Sequence, residues 1–275
     1  SEDRVNENTH PYVAWCWKAG GNKNTFNVDD VGYASASDAG LDGGTITPTG
    51  ASVGTKQGFA VITYDGNNSN PATVAHNIGT APEFIIIKRY DAGTNNWVAG
   101  HGAAGWTKYF YLNTDAGEAT SSIAWNDTAP TANVWTMQDW SDMNGSSSSY
   151  VAYLWAGIPG LQKFGTYEGN NSTDGPYVDL GFEPAIIIIK NIDSTANWVI
   201  YDNVRDPYNE GYRCLYPNLS NAENSTSTDN EIDFLSTGFK LRNDDIGSND
   251  AETYIYAAWA HQPMNNLYGG QSNAR

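Results

Sequence analysis

The sequence predicts an all-β protein made of tandem antiparallel β-sandwich modules of jelly-roll or lectin-like type, with an N-terminal strand and an extended arm before them. Three observations predict this fold. The sequence repeats itself at an offset of 101–105 residues. Short β-branched and aromatic runs alternate with clusters of Gly, Pro, Asn and Asp, the punctuation typical of many short strands. No stretch of about 12 residues shows a helical period.

The repeat defines two domains of similar size. The matching segments are 64–69 with 167–172, 81–88 with 183–190, and 150–155 with 254–259. A period this long indicates a duplicated domain, because solenoid units repeat about every 20–50 residues. We therefore assign residues 58–158 to β-sandwich repeat 1 and residues 159–263 to β-sandwich repeat 2.

Each repeat carries recognisable strand patterns. Residues 58–64 alternate in polarity, which predicts a strand with one solvated face. The isoleucine runs at 85–87 and 186–189 predict strands buried on both faces. Residues 150–155 and 254–259 are aromatic-rich, and they predict the last strand of each repeat.

The remaining segments flank the repeats. Residues 12–17 read Tyr-Val-Ala-Trp-Cys-Trp, a third copy of the last-strand pattern. We therefore expect residues 1–19 to be the closing strand of a truncated upstream module, which pairs with the edge of repeat 1 or with a neighbouring subunit because an unpaired strand promotes aggregation. Residues 20–57 read as a linker or extended arm, and residues 264–275 read as a polar C-terminal tail.

Composition excludes some classes of partner. The chain has 31 acidic residues against 14 Lys and Arg, a formal net charge of −17. This balance argues against nucleic acid, which needs cationic neutralisation, and against anionic membrane surfaces. No apolar stretch is long enough for membrane insertion. Cys16 and Cys214 give no disulfide framework, and each lies in an apolar run that predicts a buried free thiol.

Tryptophan and tyrosine residues supply the candidate ligand contacts. Trp97 and Trp198 occupy the same position in the two repeats; they either stack on sugars or pack on a sheet face, and we favour packing because duplicated positions are usually architectural. Trp106, Trp140 and Tyr208 lie in turn-rich loops and have no equivalents in the other repeat. Since binding residues concentrate in loops, these three are our ligand-binding candidates, with protein–protein contact as the alternative.

No pattern predicts catalysis or a cofactor. The acidic turns at 65–68, 174–175 and 243–245 could offer oxygen ligands to Ca²⁺ but lack the spacing of a calcium loop, so we read them as solvated turns. The four histidines do not pair at metal-ligand spacing. No nucleophile elbow or phosphate-cradling loop is present. We therefore predict no catalytic residues, no metal and a non-enzymatic protein, with a glycan depolymerase as the enzymatic alternative.

Several motifs resemble a tandem β-rich repeat family in virion proteins of tailed bacteriophages of marine, cyanophage type. Residues 79–88 read Gly-Thr-Ala-Pro-Glu-Phe-Ile-Ile-Ile-Lys, Asp91 is followed by Asn-Trp at 96–97, and residues 111–114 read Tyr-Leu-Asn-Thr. Other segments that resemble the same family are 31–36, 45–51, 125–130, 163–167 and 233–242. The resemblance covers nearly the whole chain from Tyr12 onward, and it brings no catalytic residues with it.

The resemblance implies a structural and interaction protein on the outside of a virus particle. We expect a tail-fibre or adhesin component for host attachment, on the virion tail or capsid surface and therefore extracellular. The alternatives are a capsid decoration protein or a carbohydrate-binding, lectin-like module. The expected partners are other virion subunits in a homo-oligomer, with a trimer favoured, and a host cell-surface glycan.

Overall fold

The computed structural model describes residues 8, 10–21, 23–224 and 230–262, and within them the chain is almost entirely β-structure. Its one helix, α1 (Ser122–Trp125), has four residues, so no helix of the described chain is long and apolar enough to cross a membrane. The strands are β1 Phe26–Val28, β2 Val31–Tyr33, β3 Gly50–Gly54, β4 Phe59–Asp65, β5 Ala72–Ala75, β6 Phe84–Arg89, β7 Trp97–His101, β8 Lys108–Tyr111, β9 Ala119–Thr120, β10 Val134–Met137, β11 Ser149–Trp155, β12 Gln162–Glu168, β13 Tyr177–Asp179, β14 Pro184–Asn191, β15 Val199–Asp202, β16 Cys214–Leu215, β17 Ile232–Leu235, β18 Gly238–Leu241 and β19 Thr253–Ala260.

The two repeats contain the same central sheet. In repeat 1 the strand order β4-β11-β6-β7-β8 lies within a nine-stranded sheet, β2-β1-β3-β4-β11-β6-β7-β8-β9. In repeat 2 the equivalent strands form a five-stranded sheet, β12-β19-β14-β15-β16. A second, smaller sheet faces each of these, β10-β5 in repeat 1 and β13-β18-β17 in repeat 2. The all-β sandwich fold expected from the sequence is confirmed.

A stacked tyrosine pair lies at the centre of each repeat. Tyr64 and Tyr150 stack with ring centroids 5.2 Å apart, and their equivalents Tyr167 and Tyr254 stack at 5.1 Å. All four rings are buried. The pair joins neighbouring strands, β4 with β11 and β12 with β19, so the repeated tyrosines fix the register of the same two strands in both domains.

The segment predicted as a linker, 20–57, differs from that expectation. Its strands β1, β2 and β3 extend the sheet of repeat 1, and β3 runs antiparallel along β4. Ala51 and Val53 of β3 are buried, whereas Ser52 hydrogen-bonds to Asn27 at 2.8 Å. The small residues of β3 carry little hydrophobic signal, so their sequence pattern did not predict a strand. The segment nevertheless pairs well with β4.

The N-terminal segment also differs from its prediction, because its described residues, 8 and 10–19, form no strand. Trp15 and Trp17 turn inward while Ala14 and Cys16 are exposed. The buried thiol predicted for Cys16 is therefore wrong, whereas Cys214 is buried. The segment is held by side-chain packing of Trp15 and Trp17, and the predicted strand pairing is absent from its described residues. The predicted tail, 264–275, lies outside the described residues.

Candidate aromatic cleft between the two repeats

The two repeats pack through the outer faces of their central sheets. Successive side chains of a strand point to opposite faces, so Tyr150, Ala152 and Leu154 of β11 enter the core of repeat 1, whereas Trp155 faces repeat 2. The inter-repeat cluster contains the buried side chains of Phe59, Phe84, Ile86, Ala99, Phe110, Trp155, Phe164, Ile192, Trp198, Ile255, Ala257 and Trp259. This third hydrophobic layer joins the two sandwiches into four stacked sheets.

Three tryptophans that are equivalent in sequence meet in this layer. Trp17, Trp155 and Trp259 each end a copy of the last-strand pattern. Their ring centroids are separated by 5.9 Å (17–155), 5.2 Å (17–259) and 5.8 Å (155–259), all edge to face. Edge-to-face aromatic pairs contribute about 0.5–1.5 kcal/mol beyond their buried area. The three copies of the pattern therefore converge on one aromatic cluster that spans both repeats.

Indole N–H groups in this cluster have no conventional acceptor. Trp155 and Trp259 are each only 5 % exposed, and in the described part of the chain neither Nε1–H finds a hydrogen-bond partner. A buried donor without a partner costs about 1–3 kcal/mol. The edge-to-face rings around them offer weak π acceptors that offset part of this cost.

The N-terminal segment fastens the two repeats together. Gly20 N–H donates to Ser52 Oγ of β3, which extends the sheet of repeat 1, at 2.9 Å, and Trp17 contacts Phe59 of repeat 1 at 6.4 Å between centroids. Further along, Trp15 Nε1–H donates to Asp202 Oδ2 of repeat 2 at 3.3 Å. The guanidinium of Arg205 lies 5.8 Å from the Trp15 ring, a cation–π contact.

An open cleft of about 440 Å³ remains beside the cluster. It arises where the sheet of repeat 2 covers only part of the outer face of the repeat 1 sheet. All of its lining side chains are apolar or aromatic: Trp15, Trp17, Phe59, Val61, Phe84, Ile86, Trp97, Tyr153, Trp155, Ile188 and Trp259. We call this space the aromatic cleft. Its surface suits a ligand that presents an apolar face.

A second depression, of about 460 Å³, continues from the aromatic cleft. Trp97 and Tyr153 line both spaces. The ammonium of Lys88 lies 5.7 Å from the Trp97 ring, and Arg89 Nε–H donates to Asp91 Oδ1 at 2.6 Å. The Arg89 guanidinium lowers the pKa of the Asp91 carboxyl. The combined groove therefore has one end lined by aliphatic and aromatic side chains and another end that carries both positive and negative side chains.

A family model for a domain of unknown function, DUF7483, matches residues 1–263. The chain belongs to the DUF7483 family. No curated protein and no solved structure matches the chain.

The duplicated tryptophans of the DUF7483 chain take different positions. Trp198 is buried between the repeats, and its Nε1–H donates to the Tyr111 carbonyl at 3.0 Å. This is the sheet-face packing that the sequence favoured. Trp97 is half-buried in the groove, which leaves part of its ring available to a ligand. One duplicated position therefore serves packing in repeat 2 and faces an open space in repeat 1.

The three predicted ligand contacts do not meet in one site. Trp106 is half-buried against Trp125, with centroids 5.2 Å apart. Trp140 is half-buried against Tyr109 at 5.1 Å, so both tryptophans pack on the core of repeat 1. Tyr208 is 80 % exposed in the loop between β15 and β16.

Sequence reasoning missed the residues that form the aromatic cleft. A signal was available, because β11 and β19 are apolar at successive positions and do not alternate. A strand that is apolar on both faces must be covered on both faces. That pattern indicates a further packed layer outside each sandwich, in which the terminal Trp155 and Trp259 would meet.

The acidic turns considered for Ca²⁺ are engaged with the protein itself. Asp65 Oδ1 accepts a hydrogen bond from Ser149 Oγ at 2.8 Å, and Asp174 forms an ion pair with Lys240 at 2.9 Å. Asp245 N–H is held by Asn243 Oδ1 at 3.0 Å. Over the described ranges of the chain, no three His, Cys, Asp or Glu side chains cluster in a way that could hold a metal ion.

Buried histidine and lysine side chains strengthen the inter-repeat contact. His101 Nε2–H donates to the Tyr256 carbonyl of repeat 2 at 3.0 Å, and burial lowers its pKa to about 4. The Lys190 ammonium donates to the Ala196 carbonyl at 2.8 Å and, across the interface, to the Asp115 carbonyl at 3.1 Å. Burial lowers the pKa of Lys190 to about 8.

Proposed function

We propose that this chain is a structural and interaction protein of a bacteriophage virion, a tail-fibre or adhesin component that serves host attachment. The observation that carries the proposal is the inter-repeat aromatic cluster, in which Trp155 and Trp259 pack at 5.8 Å. It packs two copies of one module against each other. Such a unit suits repeated display, in which several weak contacts add up to firm attachment. The resemblance to tailed-phage virion proteins supports a location on the virus particle.

The proposed protein acts by binding and assembly, without a chemical step. Its partners are other virion subunits, in a homo-oligomer for which we favour a trimer, and a glycan on the host surface. The surplus of acidic residues, 31 against 14 basic ones, favours protein or neutral glycan partners over nucleic acid.

Immunogold labelling of purified virus particles with an antibody to this chain tests this location. Gold at the fibre tips is the expected result. Gold spread over the head would replace the adhesin by a capsid decoration protein, and an absence of gold on intact particles would contradict a virion role. Incubation with host polysaccharide is expected to release no reducing sugar ends; their release would indicate a depolymerase.

The groove favours a second candidate, a carbohydrate-binding module. Sugar rings stack their apolar faces on aromatic side chains and hydrogen-bond through their hydroxyls, and the groove offers Trp97 and Tyr153 beside Lys88 and Asp91. If this candidate is correct, Trp97→Ala reduces binding to host-surface glycans at least about tenfold, which corresponds to about 1.4 kcal/mol.

The predicted loop residues provide the matched comparison for that experiment. Trp106→Ala and Trp140→Ala remove tryptophans that are half-buried elsewhere on repeat 1. Glycan binding that is lost in these variants but retained in Trp97→Ala, with melting temperatures unchanged, would move the sugar site from the groove to the loops. Equal binding by all three variants and the unmodified chain would exclude both sites.

A further inference from the structure

The equivalent sheets of the two repeats differ at one edge. In repeat 1, β3 pairs antiparallel along the outer side of β4, with Gly50 opposite Thr63. In repeat 2 the equivalent strand, β12, is the first strand of its sheet. No strand in the described part of the chain pairs with the outer side of β12. The connection from β11 to β12 covers only residues 156–161, too short to contain an additional strand like β3.

The outer side of β12 presents backbone groups in a defined pattern. The Leu161 carbonyl accepts from Ala260 N–H of β19 at 2.8 Å, and Gly169 N–H donates at 2.9 Å to the carbonyl of Glu252, the residue just before β19. Backbone groups of an antiparallel strand point alternately to its two neighbours. The odd-numbered residues of β12 therefore pair with β19, and Phe164, Thr166 and Glu168 direct their N–H and C=O groups to the outer edge.

Most of this edge is open to strand addition. Ile158 forms a single bridge to Gln162 at its start, and the strand carries two charged side chains, Lys163 and Glu168, which discourage strand addition. Natural sheets also protect exposed edges with proline, bulges or very short strands. β12 has seven residues, contains no proline and pairs with β19 in an uninterrupted register. Its Lys163 side chain is held by the Asp179 carbonyl at 2.7 Å. In repeat 1 the same edge receives an antiparallel strand, which shows the kind of occupant that fits.

One segment of the described chain has the sequence of a strand but does not form one. Residues 12–17 repeat the pattern of β11 and β19, which lie in the middle of their sheets. In its own chain this segment crosses the sheet of repeat 2 instead of lying along it. Trp17 contacts Trp259 on β19, and Trp15 contacts Asp202 on β15. Since the strand order is β12-β19-β14-β15, Trp15 and Trp17 lie over β15 and β19, and the segment does not pair with the β12 edge of its own chain.

We propose that residues 12–17 of a second copy of this chain add to the outer edge of β12 as an antiparallel strand. The added strand supplies partners for the outward backbone groups of Phe164, Thr166 and Glu168, as β3 does for β4. This mode of recognition, strand addition to a sheet edge, gains its affinity from main-chain hydrogen bonds. The segment leaves the side-chain contacts of its own chain to do so, and it then occupies a site in the second copy that it does not occupy in its own.

The proposed contact joins two different surfaces, a strand of one copy and an edge of the next. Such a heterologous contact closes into a ring when the rotation between copies permits. It therefore fits a cyclic trimer, and it fits equally a dimer in which two copies exchange their segments, so the molar mass from light scattering decides the number of copies. The inference rests on the homo-oligomer in the proposed function, and it adds the surfaces through which the copies assemble.

Proline substitutions test the edge and the strand separately in the full chain. Thr166→Pro removes an outward N–H that β19 does not use, and edge strands tolerate proline at such positions. Ala14→Pro removes a donor from the N-terminal segment without altering its tryptophans. By light scattering at micromolar concentration, we expect the unmodified chain to be oligomeric and both variants to be folded monomers by circular dichroism.

Thr63→Pro is the matched control. Thr63 is the repeat 1 equivalent of Thr166, but its backbone pairs with Gly50 of β3. We expect this variant to melt at a lower temperature, whereas folded Thr166→Pro monomers keep a cooperative transition. If Thr166→Pro alone fails to fold, Glu168→Pro offers a second outward position on the same strand.

A mixture of the two monomeric variants gives the decisive result. Thr166→Pro retains an intact segment and Ala14→Pro retains an intact edge, so one good contact remains between them. We expect the mixture to form a heterodimer and nothing larger. If the unmodified chain is a monomer by light scattering, the proposal is wrong, whatever the exchange rate of the β12 edge amides. So would an oligomer that survives Thr166→Pro, although that oligomer would leave the proposed virion role standing.

Loss of assembly in Thr166→Pro but in neither Ala14→Pro nor Val13→Pro would also contradict the proposal. Successive N–H groups of a strand point to opposite sides, so one of these two faces the edge in any register. The labelling of virus particles is independent of all these outcomes. Failure of the edge contact and failure of the virion role can therefore be distinguished.

Discussion

The two repeats share their interiors and differ on the faces through which they meet. Inside each sandwich a tyrosine donates its hydroxyl to a backbone carbonyl, Tyr64 to Met143 at 2.8 Å and Tyr167 to Ser248 at 2.6 Å. On the outer faces, equivalent residues have separate environments: Trp198 is buried and Trp97 lies half-buried in the groove. The interior contacts that stabilise each sandwich are therefore the same in both repeats. The outer faces differ, because the duplicated tryptophan is buried in repeat 2 and lines an open groove in repeat 1.

The first and largest test of this comparison replaces the duplicated tryptophans one at a time. Trp198→Ala empties a buried site and removes the hydrogen bond to Tyr111, so we expect it to lower the free energy of unfolding by about 3–5 kcal/mol. Trp97→Ala removes a half-exposed ring at the groove and is expected to cost about 1 kcal/mol. Urea denaturation followed by tryptophan fluorescence and circular dichroism measures both. Equal losses would mean that the two positions have the same role.

The second test uses acid, because both buried histidines of the described chain belong to repeat 1. Burial lowers the pKa of His101 from 6.5 to about 4. As the pH falls, His101 therefore takes up its proton in the unfolded chain before it does so in the folded chain. The contribution of this group to the free energy of unfolding is fully present above pH 6.5 and is lost progressively towards pH 4. A shift of this size corresponds to at most about 3 kcal/mol.

His101→Gln is expected to reduce that loss, because glutamine does not titrate and can still donate to the Tyr256 carbonyl. The measurement is the difference in unfolding free energy between pH 7.5 and pH 5, variant against unmodified chain. His76, whose pKa burial also lowers to about 4, bonds within repeat 1 and serves as the comparison. An unchanged pH dependence in His101→Gln would contradict the assignment of acid sensitivity to the interface.

Much of each module could be predicted from the sequence alone. The isoleucine runs became the central strands β6 and β14, and residues 150–155 and 254–259 lie within β11 and β19. These signals were strong because β-branched and aromatic residues pack well on a pleated surface. The repeat made them stronger still, since each of these patterns occurs twice at an offset of 101–105 residues.

The groove and the N-terminal contacts could not be predicted in the same way. Propensity does not show that Trp17 packs into a cluster instead of continuing a strand, because that choice depends on Trp155 and Trp259, which are distant in sequence. Similarly, the small residues of β3 form a strand by pairing with β4, and their own sequence gives little sign of it. Long-range packing overrode local preference at both places.

The third test returns to a lysine that the two repeats share. Lys88 and Lys190 both donate to the carbonyl two residues before the duplicated tryptophan, Asn95 in repeat 1 and Ala196 in repeat 2. Lys190 also donates across the interface to the Asp115 carbonyl at 3.1 Å. Lys190→Met would leave two carbonyls without this donor in a buried site, at an expected cost of about 1–3 kcal/mol.

Lys88→Met is the matched variant and is expected to cost less than about 1 kcal/mol, because Lys88 is only half-buried and water can replace it. The pKa of Lys190, lowered to about 8 from 10.5, adds a signature. Between these values the folded chain releases its proton before the unfolded chain does, so this group raises stability as the pH increases from 8 to 10.5. Lys190→Met should lose that rise while Lys88→Met retains it. If both variants retained the rise in stability between pH 8 and 10.5, Lys190 would not be the buried group that distinguishes the outer faces of the two repeats.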